Sequence, residues 1–336
     1  MVVCIVLPFL SSCKKNAVTT DFQDVLTDES SVDSDSLRKA SFLPYWVSTA
    51  QFAGYFVAKE MGIYKKFGID LEIIPYQPFY TSSDLIKNGK ADFAALWLIN
   101  ALQLRESGVE IVNIAQFSTR SSCMLVTKKS SGIDKIEKMN NEKLGVWVGF
   151  ELQPQTLFKK YKLNVEIIPI GSTNNLFLKD GVKITIANWF DEYHSIINSG
   201  YDSTELNTFF FADYGLNFLE DGIYCLSDKM KKDPKLCSDF VKATAEGWRI
   251  AFENQDKALD IVIAYAKKSN LPVNRIHQKW MLERYKDLYY HNNQFSTLLS
   301  KKDYFFAANI LFENGQISKV QPWEDFFMHY ETSVNK

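Results

Sequence analysis

The 336-residue chain lacks an excess of one charge, a long hydrophobic run and a metal-binding motif. Its 38 basic and 40 acidic residues leave a formal net charge of −2, which argues against nucleic acid because phosphate neutralisation needs clustered Lys and Arg. No GxSxG elbow or Gly-Lys-Ser/Thr phosphate loop is present, and no CxxC or Cys/His cluster occurs, so neither a metal nor another cofactor is expected. The histidines are scattered at His194, His277, His291 and His329.

Aromatic residues are what the chain has in excess. It contains 25 Phe, 16 Tyr and 7 Trp, or 14% of all residues. Aromatic rings give a large contact area at low entropic cost, and a few polar groups beside them fix a ligand's orientation. We therefore expect some of these rings to line a ligand cleft and the others to fill the core.

The first residues resemble an export signal. The apolar run 2–10 is too short to span a bilayer as a helix, and Leu10-Ser11-Ser12-Cys13 follows it at once. A short apolar run, small residues and a cysteine are typical of bacterial lipoproteins, so residues 1–13 are predicted to be a signal with Cys13 as the lipidated residue. The alternative is a cleaved secretory signal with an incidental cysteine.

An acidic segment follows this signal. Six carboxylates and no basic residue lie between Asp21 and Asp35, interspersed with Ser and Thr. Such a segment buries too little apolar surface to fold by itself, so residues 14–40 are predicted to be a tether to a body beginning near Ser41. The protein is expected on the periplasmic or extracellular face of a membrane, held there by its lipid.

The body alternates between strand and helix patterns, which favours an α/β fold with mainly parallel sheets. Residues from 234 onward are predicted to be almost all helical, ending in a helix over 323–330. The predicted strands are 41–44, 70–75, 91–94, 110–116, 123–128, 143–148, 165–169 and 184–187. Ligands of such folds bind beyond the carboxyl ends of strands, where this chain repeatedly places an aromatic beside a polar residue.

Several separated motifs resemble one family. Residues 51–73 read QFAGYFVAKEMGIYKKFGIDLEI, and further matches are NGKADF at 88–93, VNIAQ at 112–116, LGVW at 144–147, FDEYH at 190–194, DYG at 213–215 and EDGIY at 220–224. Together they resemble solute-binding proteins for thiamine-pyrimidine precursors, which are related in fold to the eukaryotic thiamine-pyrimidine synthase. The resemblance covers residues 41–330.

This resemblance implies a two-lobed periplasmic-binding-protein fold of type II that delivers a small heteroaromatic ligand to an ABC permease. Residues 41–122 and 223–336 would form lobe one and residues 123–222 lobe two, with strands 123–127 and 223–226 as the crossings. Closure would be a hinge motion, and the protein would be a monomer and not an enzyme.

The resemblance also implies ligand-binding residues. Glu192 would pair with the aminopyrimidine edge, although a solvated acid at a helix N-terminus explains it as well, and a shift of register would give Asp191 that role. Trp46 and Trp189 are candidates for stacking, with core packing as the alternative. The remaining candidates are Gln51, Tyr55 and Asn100 for hydrogen bonds, Gly149 and Phe150 for a ligand's polar end, and Trp97 beneath the cleft.

Two alternatives stay open at this point. The same fold could bind riboflavin, a sulfonate or another small solute. A synthase-like enzyme is disfavoured because Asn100 occupies the position of the family's histidine, and Cys225 stands alone where the synthases have a cysteine cluster. Sequence does not decide whether Cys123, Cys225 or Cys237 form a disulfide.

Overall fold

A computed structural model describes residues 37–332 except 78, 292 and 293. The predicted signal, Cys13 and the tether up to residue 36 lie outside the described residues. The first strand begins at Arg38, so the folded body starts three residues before the predicted position. No helix within the described ranges is long and apolar enough to cross a membrane.

The strands form two five-stranded sheets and one short hairpin. In chain order they are β1 (Arg38–Leu43), β2 (Ile69–Ile73), β3 (Phe93–Leu96), β4 (Ile111–Gln116), β5 (Cys123–Lys128), β6 (Lys143–Trp147), β7 (Glu166–Ile170), β8 (Ile184–Asn188), β9 (Leu206–Phe210), β10 (Gly222–Leu226), β11 (Tyr290–His291) and β12 (Gln294–Phe295). The first sheet has the order β2-β1-β3-β10-β4, and the second has the order β7-β6-β8-β5-β9.

The prediction of mainly parallel sheets is only half right, because each sheet is mixed. β1 runs parallel to β2 and β3, but β10 is antiparallel to β3 and β4. Likewise β6 runs parallel to β7 and β8, whereas β5 is antiparallel to β8 and β9. β5 and β10 are each the first strand after the chain has passed from one sheet to the other. Each begins at the edge of its sheet where the neighbouring strands end. A strand that starts at that edge must run opposite to those neighbours.

The crossings between the sheets are the segments 117–122 and 211–221. The strands predicted to cross, β5 and β10, each follow one of these segments and belong to a sheet. The two lobes are therefore interleaved along the chain, as the fold class required. Both crossing segments lie at the carboxyl edges of the neighbouring strands, since Gly222 pairs with Leu96 and Gln116 while Cys123 pairs with Asn188.

Helices cover the sheets and dominate the C-terminal part. They are α1 (Ala53–Glu60), α2 (Ile63–Lys66), α3 (Ser82–Lys87), α4 (Leu98–Glu106), α5 (Leu152–Tyr161), α6 (Asn175–Leu178), α7 (Glu192–Asn198), α8 (Ser227–Lys232), α9 (Pro234–Glu253), α10 (Gln255–Lys268), α11 (Arg275–Tyr289) and α12 (Lys301–Glu313). The helix predicted over 323–330 is wrong, because only a 3₁₀ turn at Trp323–Asp325 forms there. Phe326 and Phe327 after that turn are buried in the core, and Met328 N–H donates to the carbonyl of Asn113 beside β4.

Lobe one is held by close contact between α1 and α9. A Cβ at Gly247 would overlap with the carbonyl oxygen of Gly54, so only glycine allows the two backbones to approach this closely. Trp248, fully buried, packs against Tyr55 and Tyr285 of the neighbouring helices. Many aromatic residues of the C-terminal helices thus fill the core of lobe one.

Candidate functional site

An open cavity of about 420 Å³ lies between the lobes. Lobe one contributes the residues after β1, the loop 271–274 and the start of α11, and lobe two contributes α7 and the residues at its two ends. Its volume is within the range of small-molecule sites, which span about 300–1,000 Å³. The lining residues are Trp46, Val47, Thr49, Asp191, Ser195, Asn198, Ser199, Leu271, Pro272, Val273, Asn274, His277, Gln278 and Met281.

The cavity wall joins one large aromatic surface to a small number of polar groups. Trp46 is 40% exposed, and its indole lies 5.2 Å from the ring of Tyr76. Asp191 and His277 are the ionisable residues of the described wall, which contains no Lys or Arg. This wall can stack a flat ring and accept hydrogen bonds from it, but it offers no permanent cation to an anionic group.

A polar contact between the lobes borders the cavity. His277 Nε2 on α11 lies 2.9 Å from Asp191 Oδ1, and the Nδ1 atoms of His277 and His194 are 2.8 Å apart. The ring of His194 stacks on that of Trp280 at 4.7 Å. Burial, and after it the nearby His277, lower the pKa of His194. We call Asp191, His194 and His277 the histidine cluster.

A second polar cluster lies at the two crossing segments. Glu220 Oε1 accepts hydrogen bonds from Ser121 Oγ at 2.8 Å and from the Ser122 N–H at 3.0 Å. Tyr45 Oη donates to Asp221 Oδ1 at 2.8 Å. Burial raises the pKa of Glu220 to about 8 and that of Asp221 to about 7, so both acids bind protons far more strongly than in water.

This cluster continues toward α7. Ser122 Oγ donates to Asn188 Oδ1 at 3.1 Å, and the Asn188 N–H donates to Glu192 Oε2 at 3.0 Å. Burial, and after it the adjacent Asp191, raise the pKa of Glu192 to about 8. We call the row Tyr45, Ser121, Ser122, Asn188, Glu192, Glu220 and Asp221 the carboxyl row. It runs between the lobes from the crossings to the start of α7.

The structure brings some of the predicted residues together at the cavity. Trp46 and Asp191 line it, while Glu192, one residue further, points back to Asn188 as the first residue of α7. Gln51 is buried, and its side-chain amide donates to Tyr45 Oη. Trp189 packs edge-on against Phe210, and its carbonyl accepts the indole N–H of Trp280.

The other predicted residues lie away from this cavity wall. Tyr55 stacks on Phe42 at 4.0 Å within the core of lobe one, and Asn100 bonds to Gln103 along α4. Trp97 is buried and contacts Phe150 of the opposite lobe at 5.1 Å. The Gly149 N–H, at a φ of +90°, donates to Glu151 Oε2 at 2.9 Å, so the loop's own carboxylate occupies this amide.

Sequence reasoning missed the residues that connect the lobes. His277 is 83 positions from His194, so no local pattern could pair them. For Glu220 and Asp221 the signal was their position, because they directly precede the apolar strand 222–226 and so lie at the edge of a sheet. Tyr45 directly precedes Trp46, which was predicted as a stacking residue.

Comparison with solved structures shows which fold this chain has. The periplasmic aliphatic sulphonate binding protein of Escherichia coli superposes with a TM-score of 0.67 at 12% identity, covering 89% of this chain and 94% of that one. The alkanesulfonate-binding protein of Xanthomonas axonopodis, solved with bound MOPS, gives a TM-score of 0.64 at 10% identity, covering 87% and 98%. These likenesses confirm the predicted periplasmic-binding-protein fold.

The curated relatives in sequence are pyrimidine phosphate synthases. The 4-amino-5-hydroxymethyl-2-methylpyrimidine phosphate synthase of Schizosaccharomyces pombe is 26% identical over 131 residues, which are 38% of this chain and 38% of that protein. The match thus spans about two fifths of the curated relative's length. The NMT1/THI5 like family model matches residues 49–258, well over half of the chain. The chain therefore belongs to the NMT1/THI5 like family.

Proposed function

We propose that the protein is the extracytoplasmic solute-binding component of an ABC importer and that it carries a thiamine-related aminopyrimidine between its lobes. Its family membership and its two-lobed fold support this proposal. A lipid on Cys13 would hold it at the membrane as a monomer, with the permease as its partner.

The observation that carries the choice of ligand is the charge of the cavity wall. Its described lining presents an exposed indole at Trp46 and a carboxylate at Asp191, with no Lys or Arg. A sulfonate would lose its hydration there without gaining a cationic partner, which is costly in a partly desolvated site. A neutral aminopyrimidine loses much less, because Trp46 can cover its face while polar side chains bond to its edge.

Glu192 adds to the same preference. With its pKa raised to about 8, this carboxyl is mostly protonated at neutral pH. A neutral carboxylic acid has one donor and one acceptor side by side, the complement of the ring nitrogen and amino group of a 4-aminopyrimidine. Asp191 lines the cavity and Glu192 is the next residue, at the start of α7, so either acid is a candidate partner for the edge of the ring.

A binding role is also favoured over an enzymatic one. The curated relatives are synthases, but the match covers only part of their length. Among the described lining residues there is no lysine or cysteine, so the wall offers no amine or thiol for covalent chemistry. Its two ionisable groups, Asp191 and His277, are bonded to each other.

A thermal-shift screen tests the proposal directly. Hydroxymethyl- and aminomethyl-pyrimidines, thiamine, riboflavin and an alkanesulfonate would each be added to the purified protein. A true ligand at a hundredfold excess over its dissociation constant adds about 2.7 kcal/mol to the free energy of unfolding. We expect a pyrimidine to give this shift, and a shift with the sulfonate alone would overturn the proposal.

Trp46→Ala then tests where the ligand lies. Loss of the stacking surface is expected to weaken pyrimidine binding about tenfold, since an aromatic pair contributes about 0.5–1.5 kcal/mol beyond its buried area. Phe79→Ala is the matched control, because Phe79 is 92% exposed and does not line the cavity. Equal affinities for the two variants, measured by calorimetry, would remove Trp46 from the site.

A further inference from the structure

The histidine cluster joins the lobes through three side chains at the cavity mouth. Asp191 and His194 stand at the start of α7 in lobe two, and His277 stands in the first turn of α11 in lobe one. His277 contacts both of them, at 2.9 Å from the carboxylate and 2.8 Å from the imidazole. Asp191 and His277 also line the cavity, so this contact and the cavity form together.

The hydrogen-bond chemistry of the cluster fixes how many protons it can hold. An ionised carboxylate only accepts, so His277 Nε2 must carry a proton toward Asp191. Between the two Nδ1 atoms there is room for one donor and one acceptor. Either imidazole can supply that single proton, but when both rings are imidazolium each Nδ1 carries a proton. The contact then becomes repulsive.

The environment of the two rings identifies the acceptor. Burial, and after it the nearby His277, lower the pKa of His194, so His194 is the ring that stays neutral and its Nδ1 accepts. His277 faces the Asp191 carboxylate and is the donor, from Nε2 to Asp191 and from Nδ1 to His194. The side-chain nitrogen of Asn198 lies 3.2 Å from the same Nδ1 of His194.

We infer that Asp191, His194 and His277 form a proton-sensitive clamp, which holds the lobes closed while His194 is neutral and releases them when His194 is protonated. A ligand that prefers the closed form is then bound more weakly in acid, by linkage. Only this last consequence depends on the proposed function, because the clamp acts on the lobes whether or not a ligand is bound.

Other ionisable groups face the cluster from both helices. On α7 these are Glu192 and Tyr193, and on α11 Arg284, whose guanidinium lies 4.7 Å from the ring of Trp280 and 4.8 Å from that of Trp189. The loops 46–49 and 269–274, which complete the cavity wall, carry no ionisable side chain. Burial raises the pKa of Glu192 to about 8, whereas the pKa of His194 is lowered, so a transition in acid is assigned to His194 and not to Glu192.

Spin labels can report the separation of the lobes without any ligand. Lys87 on α3 and Lys159 on α5 are exposed and lie in different lobes. Both would be replaced by Cys in a full-length chain that also carries Cys4→Ser and Cys13→Ser, while the buried native thiols stay unlabelled. We expect a single short distance at pH 7.5 and a longer population that grows as the pH falls below about 6.5, the ordinary pKa of histidine.

Variants assign this transition to the clamp. His194→Gln, which cannot be protonated, is expected to stay closed at pH 5, while the same change at the exposed His291 should open as the parent does. Glu192→Gln should leave the acidic midpoint unchanged. A parent distance that does not change with pH, or a His194→Gln chain that opens at the parent's midpoint, would overturn the clamp. Circular dichroism at each pH shows that every variant is folded.

Discussion

The two polar clusters between the lobes differ in burial and in the direction of their response to protons. Glu220 and Asp221, in the carboxyl row, are 1% and 3% exposed, and burial raises the pKa of both. In the histidine cluster the side chains of His277 and Asp191 are 15% and 28% exposed, and the pKa of His194 is lowered. The raised pKa values favour protonated carboxyls at Glu220 and Asp221, whereas the lowered pKa of His194 favours a neutral ring.

We expect the carboxyl row to stay fixed when the lobes move and the histidine cluster to open. The row bonds directly to the two crossing segments, which must stay in place when the lobes rotate. The histidine cluster lies beside a cavity and joins helices that are not continuous in the chain. A hinge motion therefore leaves the contacts of the carboxyl row with the crossing segments intact and breaks the histidine cluster. Substitutions in the row should therefore change folding stability, and substitutions in the histidine cluster should change closure.

The largest expected effect is that of Glu220→Ala. It leaves Ser121 and Ser122, both fully buried, without the acceptor of their hydrogen bonds, and should lower the free energy of unfolding by about 3 kcal/mol. Urea denaturation measures this loss. Glu313→Ala, an exposed acid at the end of α12, is the control and should stay within about 0.5 kcal/mol of the parent. Equal losses would mean that the row does not hold the crossings.

The pH dependence of stability provides the next test. Glu220 and Asp221 bind protons in the folded chain up to about pH 8 and pH 7, but in the unfolded chain only up to about pH 4. Unfolding between these limits releases protons, so stability falls as the pH rises, by about 1.4 kcal/mol per pH unit for each proton released. Urea midpoints between pH 5 and pH 8 measure this slope. Glu220→Gln should flatten it, and an unchanged slope would contradict the raised pKa.

The sequence predicted the elements of this molecule better than their connections. Strand 123–128 has the predicted bounds, and helix 255–268 lies in the part predicted to be almost all helical, because apolar periodicity and flanking residues are local signals. The mixed sheets could not be predicted in the same way, because strand direction depends on the edge at which the chain enters each sheet. Trp46 and Asp191 of the cavity wall directly follow strands, so their position could be predicted from sequence. His277 reaches the wall only because α11 packs against α7, which no local pattern predicts.

The smallest effect we expect distinguishes closure from folding most cleanly. Trp280→Phe removes the indole N–H that donates to the carbonyl of Trp189 across the lobes at 3.0 Å, but keeps a ring to stack on His194. Trp323→Phe removes a bond of the same kind and length, to the Leu299 carbonyl within lobe one. Each should cost about 1 kcal/mol.

Only the first variant should change the distance between the labels on Lys87 and Lys159, by lowering the ratio of closed to open molecules about fivefold at pH 7.5. If Trp323→Phe opened the lobes equally, closure would follow general stability, and the contrast between a fixed row and a movable histidine cluster would fail. If neither variant opened them, the contact of α11 with α7 would contribute little to closure. Other contacts between the lobes would then supply the energy of the closed state, among them the rings of Trp97 and Phe150, which meet at 5.1 Å.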